Sequence, residues 1–210
     1  MPSVPAPTGL LADPKSRLMV GGLAAAVVVL GVWFVQTSNR RKEVFALKAL
    51  DKAQSIAESG NLPAASTEFQ RIVETYGGTP AAGEATLALN QVRLLNGQAE
   101  LAVTNLRDAL SAGRLKGDAA AGGYALLGSA LENTGKFAEA AEAFGKAVNA
   151  SALGYLKSER LLDQARAFGL AGKPADAAKA YETIIRDFSE TPAKSEAEVR
   201  LAELKAAGAK

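Results

Sequence analysis

Apolar residues along most of the chain recur every three or four positions, which is the spacing of one buried face of an α-helix. Beyond residue 40, short segments containing Gly, Pro, Asn or Thr interrupt this pattern at regular intervals. The pattern therefore predicts a series of amphipathic helices joined by short turns. The predicted helices are 43–58, 63–76, 80–96, 99–111, 118–134, 137–149, 154–171, 174–188 and 193–207.

Four glycines mark the turn between the two helices of each predicted pair. They are Gly60, Gly97, Gly135 and Gly172, at intervals of 37, 38 and 37 residues. Five positions after each glycine there is an alanine, and nine positions after it a large apolar residue. The alanines are Ala65, Ala102, Ala140 and Ala177, and the large residues are Phe69, Leu106, Phe144 and Tyr181. Glycine permits a tight turn, alanine lets helices approach and the larger side chain fills the space beyond, so the pattern predicts packed antiparallel helix pairs.

Two similar segments mark helix starts three repeats apart. TPAAGEA begins at Thr79 and TPAKSEA begins at Thr191, 112 positions later. A threonine oxygen can accept a hydrogen bond from a free backbone N–H at a helix start, and proline suits the first helical turn. Both segments therefore predict a helix that begins just after the threonine.

The third repeat carries the most specific motif. Its residues Tyr124, Leu127, Gly128, Leu131, Gly135, Ala140, Phe144 and Ala147 follow the spacing of a tetratricopeptide repeat, or TPR. The chain resembles the TPR family, with repeats longer by about three or four residues. The resemblance implies an all-α fold whose repeats form a right-handed α-solenoid of about four helix pairs, closed by a C-terminal capping helix over 193–207. The second repeat departs from the motif at Asn90 and Arg93, and the fourth at Gln164 and Ala165.

An uncharged apolar segment precedes the repeats. Residues 18–35 read LMVGGLAAAVVVLGVWFV, with basic residues on both sides. As a helix rising about 1.5 Å per residue, the segment would cover roughly 27 Å, close to the hydrocarbon thickness of a bilayer. It predicts a transmembrane helix over 18–36, between a disordered proline-containing tail over 1–17 and the repeat domain over 37–210. The candidates for helix packing in the membrane are Gly21, Gly22, Gly31 and Trp33.

A cleaved signal peptide is the alternative interpretation of this segment. The apolar region of a signal peptide is usually about 7–15 residues long, and the following FVQTSNRR has no convincing cleavage site, so we favour a retained anchor. The basic residues on the two sides are too evenly balanced to decide the orientation of the span.

Composition excludes several classes of function. The chain has no cysteine and no histidine, which removes disulfides, thiol catalysis, the usual general base and the commonest metal ligand. Its formal net charge is +2, and acidic and basic residues are interspersed, so no basic stripe is available for nucleic acid. We therefore predict that the protein is not an enzyme and has no catalytic, cofactor-binding or metal-binding residue and no nucleic-acid partner.

The candidates for partner binding follow from the resemblance. In a solenoid of this family, the first helix of each pair lines a concave surface on which partners bind. The candidates on that surface are Gln54, Leu87, Gln91, Leu94, Leu95, Ser129, Glu132, Asn133, Leu162 and Arg166. Some TPR proteins hold a terminal carboxylate with a clamp of lysine, arginine and asparagine, and these positions do not match that clamp.

A membrane span followed by TPR-like repeats resembles the ancillary subunit family of the bacterial Sec translocon and envelope TPR proteins. The resemblance implies a single-pass protein of the bacterial inner membrane with a periplasmic repeat domain. The implied partners are the lipid bilayer, membrane-complex subunits, Sec translocon or envelope assembly proteins, and extended polypeptides. The implied function is a membrane-anchored protein–protein interaction scaffold, acting as an assembly, translocation or chaperone-like accessory subunit. A permanent structural subunit and a secreted soluble TPR binding module are the alternatives.

Overall fold

The computed structural model describes the backbone of residues 14–208 and the side chains of residues 27–34 and 36–207. This part of the chain forms nine α-helices. In chain order, α1 to α9 are Pro14–Glu58, Leu62–Thr75, Pro80–Leu95, Ala99–Ser111, Asp118–Asn133, Phe137–Ala150, Gly154–Leu170, Pro174–Asp187 and Ala193–Gly208. The bounds of α2 to α9 differ from the predicted bounds by no more than one residue, because glycine and proline mark the helix ends locally.

The chain divides into two compact units, Met1–Phe45 and Ala46–Lys210. The sequence predicts a transmembrane helix over 18–36 in the first unit, and this prediction is wrong. Among the residues that the structure describes, no helix combines the length and the apolar character that crossing a bilayer requires. A crossing helix needs about 20 predominantly apolar residues in succession.

This finding corrects two further predictions that rested on the transmembrane helix. The predicted fold class was a transmembrane helix followed by an all-α solenoid. The structure supports the all-α solenoid but not the transmembrane helix. The predicted location, a single pass through a bacterial inner membrane with a periplasmic repeat domain, is wrong for the same reason. Among the predicted membrane-packing residues, Gly31 and Trp33 are exposed. The side chains at positions 21 and 22 and most of the predicted tail over 1–17 lie outside the described residues.

In the second unit, each helix from α2 onwards packs on the helix that follows it in the chain. The first helices of neighbouring repeats also meet, since α3 contacts α5 and α7 contacts α9. The part of α1 in this unit contributes Ala46, Leu50 and Ala53 to one core cluster with residues of α2 and α3. Helix pairs that pack on their neighbours in chain order form an α-solenoid.

The four glycines of the repeat lie in the turns within the helix pairs. Their φ angles are +84° at Gly60, +71° at Gly97, +75° at Gly135 and +70° at Gly172. At the third turn, the N–H of Gly135 donates to the Glu132 carbonyl and the N–H of Lys136 donates to the Leu131 carbonyl, both at 2.9 Å. The other three turns have the same two bonds. This is the Schellman motif, in which glycine adopts a left-handed conformation that would strain a residue with a Cβ.

The residues that repeat after each glycine are buried in the core. Ala65, Ala102, Ala140 and Ala177 expose at most 1% of their surface, and Phe69, Leu106, Phe144 and Tyr181 at most 7%. Close packing explains why the TPR motif has glycine at position 128. A Cβ added to Gly128 would lie 2.6 Å from Cε1 of Phe144. The absence of a side chain at this position therefore lets the Phe144 ring pack directly on α5.

Asn90 and Arg93, which depart from the TPR motif, form a polar network in place of apolar packing. Asn90 is fully buried, and its Nδ2 donates to the Thr86 carbonyl and to Asn105 Oδ1, both at 2.7 Å. Arg93 Nη1 donates to Asn90 Oδ1 at 3.2 Å, and burial lowers the pKa of Arg93. A buried amide is costly unless its hydrogen bonds are made, so this network allows asparagine to replace glycine between α3 and α4.

The two threonines that predict helix starts behave differently. Thr79 Oγ1 accepts a hydrogen bond from the Ala82 N–H at 3.2 Å, as a capping residue does. Thr191 Oγ1 instead donates to the Phe188 carbonyl at 2.8 Å. The Thr191 hydroxyl therefore stabilises the turn that follows α8. The two segments have similar sequences, but their threonines make different hydrogen bonds.

Candidate partner-binding face

The candidate residues lie on the first helices of the repeats. Gln54, Gln91, Ser129 and Arg166 occupy the same register, six positions before a turn glycine. Equivalent positions on successive repeats of a solenoid line one face. Ser129 is half-buried and its hydroxyl donates to the Ala125 carbonyl at 3.3 Å, whereas the other three side chains are exposed, as is Asn133.

The four candidate leucines differ in how much surface they offer. Leu87 and Leu94 are half-buried against a core cluster built mainly from α4, α5 and α6. Leu162 is half-buried against the core cluster of α7, α8 and α9. Leu95, at the end of α3, is 69% exposed. Three of these leucines therefore contribute to the core as well as to the surface, and Leu95 contributes mainly to the surface.

Two charged candidates, Glu132 and Arg166, bind each other. Arg166 donates from Nε to Glu132 Oε1 at 3.2 Å and from Nη2 to Glu132 Oε2 at 2.9 Å. Its Nη1 also lies 3.1 Å from Oδ1 of Asp163. The pKa of Arg166 is raised, mainly by its hydrogen bond to Glu132, while burial acts on this pKa in the opposite direction. The pair thus joins α5 to α7, and both of its charges are already matched.

A groove with a volume of about 490 Å³ lies beside this pair and is lined by residues of α7, α8 and α9. We call it the α7–α9 groove. Its apolar lining is Leu162, Ala165, Gly169, Leu170, Ala177, Tyr181, Leu204 and Ala207, and its charged lining is Arg166, Glu196, Arg200 and Glu203. Leu162 and Arg166 are the candidates that the structure brings together here.

Arg200, one of the charges that line the α7–α9 groove, lies near both glutamates of the lining. Arg200 Nη1 lies 3.1 Å from Glu203 Oε2, and Arg200 Nε lies 3.8 Å from Glu196 Oε1. Tyr181 lies among these charges and is 7% exposed. Burial raises the pKa of Tyr181, and the surrounding arginines and glutamates act on it in opposite directions.

Other candidates lie along different grooves. Leu87 lines a groove of about 670 Å³ near the start of α3, together with Glu84, Arg114 and Lys116. A cleft of about 440 Å³ between α7 and α9 shares Leu162 and Glu196 with the α7–α9 groove and adds Tyr155 and Glu159. Gln54, Gln91, Leu95, Ser129 and Asn133 are not among the residues that line these three surfaces. Leu87 therefore lines a different groove from the one that Leu162 and Arg166 line.

Sequence reasoning named only Leu162 and Arg166 among the twelve residues that line the α7–α9 groove, and it missed the others, including Leu170, Tyr181, Arg200 and Leu204. Leu170 could have been found, because it stands two positions before Gly172, the register that Leu95 and Asn133 occupy in their repeats. The repeat correctly indicates that the Tyr181 ring is buried. The sequence does not indicate in this way that residues of α9 line a groove, since the charged residues of this last helix are typical of a capping helix.

The charged groups that line the groove are two arginines and two glutamates. Within the described part of the chain, no group of three or more His, Cys, Asp or Glu residues is placed to hold a metal ion. Arg200 lies within ion-pair distance of Glu196 and Glu203, and Arg166 lies within ion-pair distance of Glu132 and Asp163, which do not line the groove. The arrangement offers an apolar floor with a polar border, which is the composition of a protein-binding surface.

No protein-family profile matches this sequence, and no curated protein matches it either. Solved structures do match. A protein of Podosopora anserina, described as a kinesin light chain with nearly identical TPR-like repeats, has 18% identity and a TM-score of 0.63 over 77% of this chain and 86% of that chain. A variant of the same protein gives the same identity and TM-score, over 77% of this chain and 85% of that one.

The crystal structure of MamA also matches, with 20% identity and a TM-score of 0.52, over 63% of this chain and 72% of that chain. Identities this low show the fold alone. They give no support to the resemblance to the Sec ancillary family. The second unit of this protein is an all-α solenoid of TPR-like repeats.

Proposed function

We propose that this protein is a protein–protein interaction scaffold whose first helices and α7–α9 groove bind another polypeptide. The observation that carries the proposal is the groove, in which apolar side chains of α7 and α9 form a floor beside paired charges. Protein interfaces combine an apolar centre with a polar border in this way. The TPR-like fold supports the same function, because solenoids present extended surfaces to their partners.

A finer proposal rests on this function. We infer that the protein is a subunit of a larger protein complex, acting either as an accessory in assembly or chaperoning or as a permanent structural part. The two roles differ in stoichiometry and in the lifetime of the complex. Membrane anchoring and protein translocation are not part of the proposal, because both were inferred from the transmembrane helix. No catalytic role is proposed.

The experiment is a purification of the full-length protein with its bound partners, in which the molar ratio of each partner is measured. A fixed ratio to a few proteins supports a permanent subunit, and a small, variable fraction of many chains supports an accessory. The candidate face is tested with Leu95→Ser and Leu170→Ser together. The matched control is Leu101→Ser on α4, since Leu101 is 50% exposed and Leu170 is 53% exposed. Partners that remain bound to the double variant would exclude this face.

A further inference from the structure

We propose that the repeat domain contains a boundary of cooperativity inside its second repeat, at which residues 46–95 unfold locally while α4 to α9 stay folded. This inference goes beyond the proposed function, because it concerns a motion of the fold and involves no partner. It follows from the grouping of the buried apolar residues and from the contacts that join α3 to α4.

The buried apolar residues of the repeat domain form three core clusters. The first contains residues of α1, α2 and α3, the second mainly residues of α4, α5 and α6, and the third residues of α7, α8 and α9. Phe168 of α7 packs against both the second and the third cluster. Within the described part of the chain, no residue packs against both the first and the second cluster. The first two clusters therefore meet between α3 and α4, which are the two helices of one repeat.

A pair of amides joins α3 to α4 where later repeats have small apolar residues. Asn90 stands seven positions before the turn glycine and Asn105 eight positions after it. The residues at these two positions are Gly128 and Ala143 in the third repeat and Ala165 and Ala180 in the fourth, and all four are buried. Asn90 Nδ2 donates to Asn105 Oδ1 at 2.7 Å. Such a hydrogen bond contributes about 1 kcal/mol net, so polar contact replaces apolar burial at this point.

The apolar residues of α3 that flank Asn90 are incompletely buried. Leu87 and Leu94 share a face of the helix with Asn90, at i−3 and i+4, and both are half-buried against the second cluster. We call these three residues, with Asn105 of α4, the α3–α4 seam. Apolar burial stabilises packed helices by roughly 25 cal/mol per Å², so the half-buried leucines of the seam hold α3 less firmly than a shared core would.

Leu115, in the loop after α4, is the buried apolar residue nearest this boundary, and it packs more closely on α5 than on α3. A Cβ added to Gly123 of α5 would lie 2.5 Å from Leu115 Cδ1. A Cβ added to Gly83 of α3 would lie 3.7 Å from Leu115 Cδ2, which is an ordinary contact distance. Leu115 therefore stays with the second cluster when residues 46–95 unfold.

Local unfolding at the seam has a lower free energy than global unfolding because little apolar contact is lost between the two parts. It breaks the bond between Asn90 and Asn105, while the turn at Gly97 keeps the parts joined in the chain. It also removes α3 from the second cluster and exposes Leu87 and Leu94 fully. The seam thus controls access to two residues that are candidates for partner contact.

The test is amide hydrogen exchange of the full-length protein without any partner, measured by mass spectrometry at several urea concentrations below the unfolding transition. We expect the amides of α2 and α3 to exchange through one shared opening. Their protection should be at least about tenfold lower than that of the amides of α5 and α6, which exchange by global unfolding.

Two glycine variants separate local from global unfolding. Gly128→Ala overpacks α5 against Phe144, so it should lower the protection of α5 and α6 about tenfold or more. It should leave the protection of α2 and α3 unchanged, because α5 stays folded in the locally unfolded state. Gly169→Ala, at a helical glycine with no heavy atom near its added Cβ, is the matched control and should not lower either value. Ala143→Gly, which weakens α6, replaces Gly128→Ala if that variant does not fold.

A seam variant tests the place of the boundary. Asn90→Ala should lower the protection of α2 and α3 about tenfold or more, because the bond that it removes is lost in the opening. Unchanged protection would exclude the seam as the boundary. Equal loss of protection in α2, α3, α5 and α6 on Gly128→Ala would show that the domain unfolds as a single unit and would overturn the inference. Neither result bears on the proposed scaffold function, since no partner is present.

Discussion

Arg166 on α7 donates hydrogen bonds to both carboxylate oxygens of Glu132 on α5, at 3.2 and 2.9 Å. The two residues are 34 positions apart, nearly one repeat, so the pair links the first helices of neighbouring repeats. The Glu132 side chain is 14% exposed and the Arg166 side chain 52%. Two parallel bonds fix the geometry of an arginine–carboxylate pair, and this pair therefore holds one border of the α7–α9 groove in place.

The contribution of this pair to stability is measurable with a double-mutant cycle. We expect Glu132→Gln to lower the free energy of unfolding by about 1 kcal/mol or less, because half of the arginine side chain faces water. The coupling between Glu132→Gln and Arg166→Gln should be about 0.5 kcal/mol and should decrease at high salt. Urea unfolding at two salt concentrations provides the values. A coupling of zero at low salt would show that the pair links the repeats without stabilising them.

Replacing glycine by alanine should have opposite effects at two helical positions. At Gly128 an added Cβ would lie 2.6 Å from the Phe144 ring, whereas at Gly169 no heavy atom lies within 4 Å. We expect Gly128→Ala to lower the free energy of unfolding by about 1–3 kcal/mol through overpacking. Gly169→Ala should leave it unchanged or raise it by up to about 1 kcal/mol, because alanine favours helix. Chemical denaturation of both variants checks this, and equal effects would contradict the packing explanation.

The buried amide network should be cooperative. We expect Asn90→Ala to lower the free energy of unfolding by about 2 kcal/mol, since it removes the hydrogen bonds that Asn90 makes with Asn105 and Arg93 and opens space in the core. Asn105→Ala should cost less, because its side chain is only half-buried. In the double variant the second substitution should cost little, since the bond is already lost. Additive losses, measured by urea unfolding, would mean that the two amides stabilise the fold independently.

Tyr181 should make the protein sensitive to alkaline pH. Burial raises its pKa in the folded state, which means that the fold disfavours the tyrosinate. The stability from this group is therefore fully present below the unfolded-state pKa of about 10 and is lost as pH rises through the folded-state value. We expect unfolding of Tyr181→Phe to be less sensitive to pH above about 10 than unfolding of the unaltered protein. Parallel pH dependences would show that the hydroxyl ionises freely in the fold.

The helices and their turns were predictable because their causes are local. A glycine such as Gly135 determines the conformation of a single turn. The burial of an alanine such as Ala140 was predictable because the alanine stands at a fixed number of residues after that glycine. The membrane prediction rested on the hydropathy of one segment, and no helix among the described residues combines the length and the apolar character that a bilayer requires.

The α7–α9 groove was not predictable in the same way. Leu162, Tyr181 and Leu204 belong to three different helices, and their meeting depends on how those helices pack. The sequence shows that Glu132 and Arg166 are charged and share a face, but it gives no sign that they bind each other.

The sequence by itself determined that this protein is a series of paired helices with a period close to 37 residues, because helix periodicity, capping and glycine turns act over a few neighbouring residues. The tertiary structure decided which side chains line one groove and which charges are matched within it. Those properties depend on distances between helices that are far apart in the chain, and such distances are set only when the repeats pack together.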